Sequence, residues 1–522
     1  MAPHPFDATA TALDDRQRDE AGALPLYGRT LALMARSDAA GTWTVDGNER
    51  VWRVGITSPG ALALECFIDQ AEVPNGAVIG TFAPNGRILS APVSLDLPAG
   101  VAEFSTALVP GDSCILEYRE PLDAERHGRF RIASVGHAYR DAQVEDAARE
   151  GSCQVNVACH PESDGWEDAI RATVRISVVV PEGTGWCSGT LVNNVRQDCA
   201  PYILSAWHCG RTSTAAQFNQ YKFYFNFQYA TCTGGSYSTA QYMTGAQLKA
   251  YSDDYAPQYG GLGGSDFMLL RTNAAVPAGF NPFWAGWDAT NIATVTGGGV
   301  CTHHPTGAPK RISTFTQPAT TGHPMASSGL MSHYKIIWAQ TEHGWGITEE
   351  GSSGSGLFKQ IAGIGPVLIG TCTGNSSGMN CDNHAGTAYF GKMSYSWTNN
   401  PNAANIKLKP WLDPDNTGVL VIGGSEHPCA APSGIASADA FYFPACMPNP
   451  ANDQLSVRLP NGMAIPADAR LMDPMGRLVA QWNLRDRTCT LSTAYIPAGA
   501  YILQVQAGAN EPPSSTRILI SH

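Results

Sequence analysis

The sequence is poor in charged residues and has no excess of positive charge. Charged side chains make up 15% of its 522 residues, against roughly 25% in an average soluble protein. Lys and Arg together number 33 and Asp and Glu 45, so the formal net charge is -12. Because nucleic acids and anionic membrane surfaces bind basic faces, this balance argues against both as partners.

Long apolar runs and metal-binding patterns are also missing. No run of 18 or more apolar residues occurs, so we expect no membrane-spanning segment. The sequence has no HExxH motif and no CxxC pair. The adjacent His303 and His304 would point to opposite faces of a strand. We therefore expect neither a metal nor any other cofactor.

Glycine, proline and cysteine are plentiful. The 54 Gly and 35 Pro, with few sustained helical periods, predict antiparallel β structure with many turns, and the length predicts about three domains. The 14 cysteines indicate an oxidising compartment. Residues 1–24 show neither the charged nor the apolar region of a signal peptide, and we expect that the start has been trimmed or misassigned.

One loop of small residues is suited to presenting a nucleophile. The six residues 351–356 comprise three glycines and three serines and precede an apolar run. Two backbone N–H groups have to point into one cavity in such a loop, and bulky side chains would fill that cavity. For an isolated match, a flexible Gly/Ser loop is the alternative interpretation.

Two other stretches supply partners for a serine nucleophile. His208 ends the apolar run 201–207, and Asp266 opens the apolar run 267–270. A carboxylate at such a junction stays ionised beside buried neighbours, as orienting an imidazolium requires. The chain order His208, Asp266, Ser353 is that of chymotrypsin and differs from those of subtilisin and the α/β-hydrolases.

These stretches belong to a longer series of motifs over residues 151–424. The series resembles the lysyl endopeptidases, bacterial members of the chymotrypsin-like serine proteases. The motifs that carry the resemblance are Gly151-Ser152-Cys153, Leu191-Val192-Asn193-Asn194, His208-Cys209-Gly210, Ser265-Asp266-Phe267, Phe283-Trp284-Ala285-Gly286-Trp287-Asp288, His303-His304-Pro305, Lys310-Arg311-Ile312-Ser313, residues 351–355 and Trp411-Leu412-Asp413-Pro414.

The resemblance implies a role for each candidate residue. Ser353 would be the nucleophile, His208 its general base, and Asp266 the carboxylate that orients the imidazole. The N–H groups of Gly351 and Ser353 would form the oxyanion hole. Ser352 and Ser355 compete as nucleophiles, but the pattern Gly-x-Ser-Gly-Ser favours Ser353.

The resemblance also implies disulfide pairings. Three bridges follow from it, namely Cys153 with Cys381, Cys159 with Cys232, and Cys187 with Cys209. Six cysteines stay unassigned: Cys199, Cys301, Cys372, Cys429, Cys446 and Cys489.

The pocket for the P1 side chain departs from the family pattern. Lysyl endopeptidases have an aspartate at the base of this pocket, and Ala388 stands at that position. A lysine ammonium would be buried there without a partner, so we expect apolar or small P1 side chains instead. Asp382 could take the place of the missing pocket aspartate only if its loop is rearranged. The alternative is that Asp382 is a solvent-exposed loop residue. Cys372 stands where the family has the histidine that stacks on a tryptophan.

Residues 1–147 precede the protease segment, 148–425. Short alternating runs predict a β-sandwich with a Cys66–Cys114 bridge. Their sequence motifs resemble the pro-regions of secreted Bacteroidetes-like proteases. A retained accessory or binding domain is the alternative. The linker after residue 141 contains Arg149, and we hypothesise maturation just before Gly151 or Ser152.

Activation is expected to differ from that of trypsin. In trypsin the new amino terminus pairs with an aspartate just before the nucleophile, but Ser352 stands at that place here. We therefore expect activation by relief of occlusion by the pro-region.

A linker at 426–444 leads to a final segment, 445–522. Its period-2 strands predict a small β-sandwich, and it resembles the C-terminal sorting domain of the type IX secretion system. An adhesive or carbohydrate-binding module is the structural alternative.

The fold class expected overall is mainly β. A chymotrypsin-like double β-barrel protease is flanked by an N-terminal β-sandwich-like pro-region and a small C-terminal β-sandwich, with the catalytic cleft between the barrels. The expected function is a secreted, monomeric serine endopeptidase that cleaves protein or peptide substrates and uses the type IX secretion machinery. An inactive protease-like surface protein that binds peptides is the alternative, which the presence of all three catalytic residue types disfavours.

Overall fold

A computed structural model describes most of the chain, in two compact units. Unit one is Met1–Asn416 with Leu420–Ser433, and unit two is Thr417–Val419 with Gly434–His522. Each unit is described by itself. The description omits residues 21–22, 141–150, 253, 255–263, 325–330, 377, 428, 430–444, 448–450, 460–463, 474–475, 508–513 and 522. The hypothesised maturation linker at 141–150 and most of the linker predicted at 426–444 therefore lie outside the described residues.

The N-terminal region forms the predicted β-sandwich, which the structure confirms. One sheet has the order β2-β3-β9-β5-β6, and the facing sheet contains β1-β10-β4-β7 with β8 on β4. Trp52, Ile68, Leu116 and Ile132 fill the space between the sheets and are fully buried. Its elements are α1 (Ala8–Glu20), β1 (Leu26–Arg36), β2 (Thr42–Asp46), β3 (Glu49–Thr57), β4 (Ala63–Glu72), β5 (Val78–Phe82), β6 (Ile88–Ser94), β7 (Phe104–Ser105), β8 (Val109–Pro110), β9 (Ser113–Pro121) and β10 (Arg129–Ala138).

The expected Cys66–Cys114 bridge is wrong. Both cysteines are free thiols, buried in the core of the sandwich. They stand on strands of opposite sheets, where each packs as a small apolar side chain. Burial raises the pKa of the Cys114 thiol to about 12.

The first half of segment 148–425 is a closed barrel. Neighbouring strands pair in the order β12-β13-β14-β18-β17, and β12 also pairs with β15, which pairs with β16. The ring closes because Gly245, at φ +81°, bends one strand into β16 and β17. Its elements, with β11 of the next sheet, are β11 (Val155–Asn156), α2 (Glu167–Ala172), β12 (Thr173–Val180), β13 (Gly183–Val192), β14 (Tyr202–Ala206), α3 (Trp207–Gly210), α4 (Ala215–Phe218), β15 (Lys222–Tyr224), β16 (Tyr242–Thr244), β17 (Ala246–Tyr251) and β18 (Phe267–Thr272).

The second half of segment 148–425 curls into another barrel-like sheet. Its main order is β11-β23-β22-β26-β27-β28-β25-β24-β21, with β20 between β27 and β29, and β19 pairs with β30. The chain that follows β25 comes back to β23, where Ala339 N–H donates to the Thr314 carbonyl at 2.8 Å.

The elements of this second half include one short helix. They are β19 (Phe283–Trp284), β20 (Gly286–Asp288), β21 (Thr294–Val295), β22 (Gly299–His303), β23 (Arg311–Phe315), β24 (Ala319–Gly322), β25 (His333–Ile336), β26 (Gly356–Ile361), β27 (Gly365–Asn375), β28 (Ala388–Lys392), α5 (Lys409–Leu412), β29 (Val421–Ile422) and β30 (Ser425–Glu426).

The N-terminal region and the first barrel share one sheet. Strand β1 pairs antiparallel with the start of β13, with Leu26 opposite Gly185 and Arg29 opposite Gly183. Below this junction, Lys222 of the barrel forms an ion pair with Glu65 of the sandwich, and both side chains are completely buried. The two regions are thus joined by backbone pairing and by a buried charge pair.

The second unit is the predicted small β-sandwich, which the structure also confirms. Sheets β31-β32-β35 and β34-β33-β36-β37 enclose a core that includes Leu455, Ala469, Leu503 and Ile518. Its strands are β31 (Ala445–Met447), β32 (Gln454–Arg458), β33 (Ala467–Met472), β34 (Leu478–Leu484), β35 (Thr488–Ser492), β36 (Gly499–Gln506) and β37 (Ser514–Ile520). In the described parts of both units, every helix is too short or too polar to cross a membrane.

Candidate active site

Two paired strands bring His208 and Asp266 together. Strand β14 ends where β18 begins, with Ala206 opposite Phe267 in the antiparallel register. His208 lies in the short helix α3 that follows β14, and Asp266 immediately precedes β18. Trp207 N–H donates to the Asp266 carbonyl at 2.8 Å, so His208 and Asp266, which are 58 positions apart in the chain, share one end of the barrel.

The three predicted catalytic side chains form a continuous hydrogen-bonded row. His208 Nδ1 lies 2.6 Å from Asp266 Oδ2, and His208 Nε2 lies 2.8 Å from Ser353 Oγ. The Asp266 side chain is only 3% exposed, whereas that of His208 is 20% exposed. The carboxylate is therefore shielded from water while the imidazole faces the cleft.

Ser353 stands in a loop that is anchored to the first barrel. Ser188 N–H on β13 donates to the Ser353 carbonyl at 2.8 Å. Gly354 follows at φ +83°, and an added Cβ there would lie 2.2 Å from Ser205 Oγ and 2.5 Å from the Ser188 carbonyl. Only glycine fits this left-handed, crowded position. The glycine lets the loop pack close to the first barrel, with Ser353 next to His208.

The two predicted oxyanion donors take no part in the hydrogen bonds of the loop. Among the described residues, no acceptor takes a hydrogen bond from the N–H groups of Gly351 and Ser353. Gly351 has φ +84°, and a Cβ on it would lie 2.9 Å from both Gly307 N and the His304 carbonyl. Free N–H groups beside a nucleophile are suited to stabilising a developing oxyanion.

The two competing serines are occupied elsewhere. Ser352 is completely buried, and its Oγ lies 2.8 Å from His303 Nδ1 and accepts from Glu349 N–H at 3.0 Å. Ser355 Oγ lies 3.1 Å from the buried Cys301 Sγ. Of these three serines, Ser353 is the one whose hydroxyl contacts His208 in the described structure.

The adjacent histidines are buried, neutral side chains. Burial lowers the pKa of His303 to about 3 and holds that of His304 well below its ordinary value. In the described chain, the only cluster with metal-ligand chemistry comprises Cys159, Cys232 and His343. Its two cysteines are joined in a disulfide, and a disulfide offers no thiolate to a metal.

Ala388 lies at the start of β28 and is completely buried. It packs in one apolar cluster with Ile347, Trp338 and Phe390. Asp382 is exposed in its loop, where its N–H donates to Asn380 Oδ1 at 2.9 Å. The described structure thus gives Ala388 apolar neighbours and leaves Asp382 in solvent.

Several residues around the site were missed by the sequence analysis. Trp207 stacks on Tyr251 with ring centroids 4.5 Å apart, beside the histidine. Thr348 Oγ1 donates to Asn375 Oδ1 at 2.6 Å, next to the loop. A tryptophan directly before His208 was a visible signal, but nothing in the sequence pairs it with Tyr251.

The disulfides match the implied pairings and add a fourth. The structure contains Cys153–Cys381, Cys159–Cys232, Cys187–Cys209 and Cys199–Cys429. Cys301, Cys372 and Cys489 are free thiols. Burial raises the pKa of Cys372 to about 12, so this residue is an apolar neighbour of the site rather than a titrating group.

The N-terminal region reaches the edge of the candidate site. A cavity of ≈ 340 Å³ is lined by Pro25 and Tyr27 of that region and by Trp186, Glu350 and Gly351 of the protease region. Tyr27 stacks on Trp186 at 4.4 Å between ring centroids, and its hydroxyl lies 2.7 Å from Ser177 Oγ. Residues 25–27 therefore border the same space as the oxyanion loop.

Comparisons with known proteins agree with this geometry. Residues 147–391 match the family described as lysyl endopeptidase, C-terminal domain, and residues 445–521 match the secretion system C-terminal sorting domain. A lysyl endopeptidase of Pseudomonas aeruginosa is 27% identical over 340 residues, which cover 62% of this chain and 68% of the relative.

Solved structures with partial likeness are also serine proteases. A thermostable serine protease from an extremophilic microorganism has 16% identity and a TM-score of 0.29, covering 43% of this chain and 93% of its own. A serine endoprotease from Yersinia pestis has 12% identity and a TM-score of 0.28, covering 45% of this chain and 64% of its own.

The chain is a serine endopeptidase with a chymotrypsin-like fold. Residues 147–391 are similar to the C-terminal domain of lysyl endopeptidases, and residues 445–521 are similar to a secretion system C-terminal sorting domain. The protein is thus secreted or displayed at the outer-membrane surface, as we expected from the cysteines and the tail.

Proposed function

We propose that the protein hydrolyses peptide bonds through an acyl-enzyme intermediate on Ser353. The observation that carries this proposal is the row of hydrogen bonds from Asp266 through His208 to Ser353, at 2.6 and 2.8 Å. His208 takes the proton of Ser353 as the hydroxyl attacks the scissile carbonyl, and returns it to the leaving amine. Water then repeats the sequence on the acyl-enzyme.

Asp266 and the oxyanion loop stabilise the charges that develop in this reaction. Asp266 holds the imidazole with Nδ1–H towards itself and faces the imidazolium once it forms. Gly351 and Ser353 N–H would bind the oxyanion, and loss of one such donor typically costs about 2.7 to 4 kcal/mol of transition-state stabilisation. Both donors are free of protein acceptors in the described chain.

The P1 pocket is proposed to accept apolar or small side chains. Ala388 stands where the family has the lysine-binding aspartate, and its neighbours Ile347, Trp338 and Phe390 are apolar. An ammonium group among them would lose its water without gaining a counter-charge. The lysine preference in the relative's name is therefore not transferred to this chain.

The N-terminal region is proposed to be a removable pro-region. Its residues 25–27 border the oxyanion loop, and its strand β1 occupies the edge of β13. Because His208, Asp266 and Ser353 meet within one chain, catalysis needs no second subunit, and the enzyme is proposed to be a monomer. Light scattering of the processed protein tests that state, and a stable dimer would contradict it.

A fluorophosphonate probe tests the proposed nucleophile. The processed protein is labelled, digested and analysed by mass spectrometry, with Ser353→Ala and Ser355→Ala as matched variants. We expect the label on the peptide that contains Ser353, its loss in Ser353→Ala and its retention in Ser355→Ala. Absence of labelling after verified removal of the N-terminal region would refute the proposal and favour a peptide-binding protein.

A further inference from the structure

Glu349 links the oxyanion loop to the first residues of the protease region. Gly151 N–H lies 3.1 Å from each carboxylate oxygen of Glu349. Gln154 Nε2 donates to the same carboxylate at 2.8 Å and to the Ile347 carbonyl at 2.7 Å. Glu349 precedes Gly351 by two residues and Ser353 by four, so a distant part of the chain is tied to the catalytic loop.

Gly151 is fitted closely into this position. An added Cβ on Gly151 would lie 2.1 Å from Cys381 Sγ and 2.9 Å from Glu349 Oε1. The disulfide Cys153–Cys381 fixes the chain two residues further on, and Gly346 N–H donates to the Cys153 carbonyl at 2.9 Å. The position of the Gly151 nitrogen is therefore set by the fold around it.

The contact is transmitted to the oxyanion loop through backbone groups. Ser352 N–H donates to the Glu349 carbonyl, and Glu349 N–H donates to Ser352 Oγ, both at 3.0 Å. These two bonds close a turn over residues 349–352 that contains Gly351. Holding the Glu349 side chain therefore restricts the direction of the Gly351 N–H, on which oxyanion binding depends.

We propose that Glu349 is a positioning residue for the oxyanion hole, and that hydrolysis of the bond between Glu150 and Gly151 turns its contact with Gly151 into an ion pair. One water is consumed, the C–N bond breaks, Glu150 gains an α-carboxylate and Gly151 gains an α-ammonium. The inference rests on the proposed oxyanion role of Gly351 and Ser353. An apolar P1 pocket does not accept Glu150, so this cut is assigned to a separate peptidase.

The new charge would strengthen a contact that already has the right geometry. The Glu349 carboxylate now accepts a hydrogen bond from an uncharged amide, and an α-ammonium in the same place would add the attraction between two opposite charges. In trypsin the acid stands directly before the nucleophile, but that place is taken here by the buried Ser352, which bonds to His303. The acid that receives the amino terminus is instead Glu349, three residues earlier.

Kinetics of four processed proteins test this proposal. Wild type is compared with Glu349→Gln, Glu349→Asp and the control Glu342→Gln, which neutralises an exposed acid elsewhere on the surface. Active sites are counted with the fluorophosphonate probe, the mature amino terminus is identified by mass spectrometry, and kcat and KM are measured from pH 5 to 10.

We expect Glu349→Gln to lower kcat on the order of tenfold or more with little change in KM, because the transition state alone uses the oxyanion hole. In wild type, kcat should also fall at alkaline pH as the α-ammonium, whose ordinary pKa is about 8 and is raised by the carboxylate, loses its proton. Glu349→Gln should lack this alkaline fall, Glu349→Asp should recover part of both effects, and Glu342→Gln should match wild type.

Two results would overturn the inference. One is a Glu349→Gln enzyme with the kcat and pH profile of wild type, and the other is an active mature chain that begins at a residue other than Gly151. These results differ from the result expected if the protein is not a serine peptidase. In that case the fluorophosphonate would not label the processed wild-type protein at all.

Discussion

Asp266 accepts two hydrogen bonds from one residue, His208. The histidine N–H donates to Oδ1 at 2.9 Å, and its ring Nδ1 lies 2.6 Å from Oδ2. The carboxylate thereby fixes both the backbone and the ring of the proposed general base. Asp266 itself has φ +53°, a left-handed conformation that costs an aspartate little compared with bulkier residues.

This arrangement predicts a large effect of Asp266→Asn. The amide can donate to Nδ1 and stabilise the wrong tautomer, so we expect kcat to fall about 10⁴-fold with the fold intact. Hydrolysis of a peptide ester by the processed protein measures it. Asp415→Asn is the control, because Asp415 is an exposed partner of Arg196. A fall of less than tenfold in Asp266→Asn would show that the base is oriented by other groups.

Ala388→Asp should change the P1 preference towards lysine and arginine. The new carboxylate would supply the counter-charge that the apolar neighbours of Ala388 lack. We expect a shift in relative kcat/KM of about tenfold or more, equivalent to about 1.4 kcal/mol of transition-state discrimination. A peptide library measures the shift, with the uncharged Ala388→Asn as the matched variant. Strict cleavage after lysine by the unmodified protein would contradict the proposed pocket.

The buried His303 predicts lower stability in acid. Burial lowers the pKa of His303 to about 3 in the folded chain. In the unfolded chain the same imidazole takes up a proton near pH 6.5, whereas in the folded chain it stays neutral at that pH. The stability of the folded state that depends on a neutral His303 is fully present above pH 6.5 and is lost progressively as the pH falls towards 3. Between pH 7 and pH 5 the free energy of unfolding should fall by about 2 kcal/mol from this residue alone.

Denaturant unfolding followed by tryptophan fluorescence measures this loss. His303→Gln should show a smaller difference between pH 7 and pH 5 than wild type, because glutamine does not titrate. The control is His160→Gln, whose side chain is 72% exposed. An equal pH dependence in His303→Gln and wild type would be evidence against a neutral, buried His303.

Glu65→Gln should weaken the hold of the N-terminal region on the barrel. Glu65 and Lys222 are paired and completely buried between the two regions, and Lys222 Nζ also donates to Ser105 Oγ at 3.1 Å. Removing one charge leaves the other unpaired, which typically costs about 3 to 5 kcal/mol.

Affinity of the separated N-terminal region for the processed enzyme measures this cost. We expect Glu65→Gln to bind several hundredfold more weakly, and the double variant Glu65→Leu with Lys222→Met to recover much of the loss, since no unpaired charge remains. Equal affinities of wild type and Glu65→Gln would show that the backbone pairing of β1 carries the contact.

The three predicted catalytic residues and their order were visible in the sequence, because each lies next to an apolar run: His208 after one, and Asp266 and the Ser353 loop before one. Glycine positions such as Gly351 and Gly354 were predictable from the space a substrate carbonyl needs. Their actual neighbours were not, because Ser188, Ser205 and Gly307 come from distant parts of the chain. The two outer sandwiches were predicted from alternating strands alone.

Long-range pairings marked the limit of the prediction. Cys66 and Cys114 were paired on the basis of a plausible strand pattern, but that pattern does not tell which strands face each other across a sandwich. Cys199–Cys429 joins residues 230 positions apart, and no local signal distinguishes it from other choices. The contact of Gly151 with Glu349 was missed for the same reason, since it depends on a loop and a segment brought together by the Cys153–Cys381 bridge.

The pairing of β1 with β13 has a consequence for the processed enzyme. Gly183, Thr184 and Gly185 now exchange hydrogen bonds with the N-terminal region along one side of β13, while β12 occupies the other side. Once β1 leaves, three residues of β13 present an open sheet edge beside the cleft, and open edges pair readily with extended chains. The proposed removal of the N-terminal region would therefore leave an unpaired strand edge on β13, to which an extended polypeptide, including a second molecule of the enzyme, could pair.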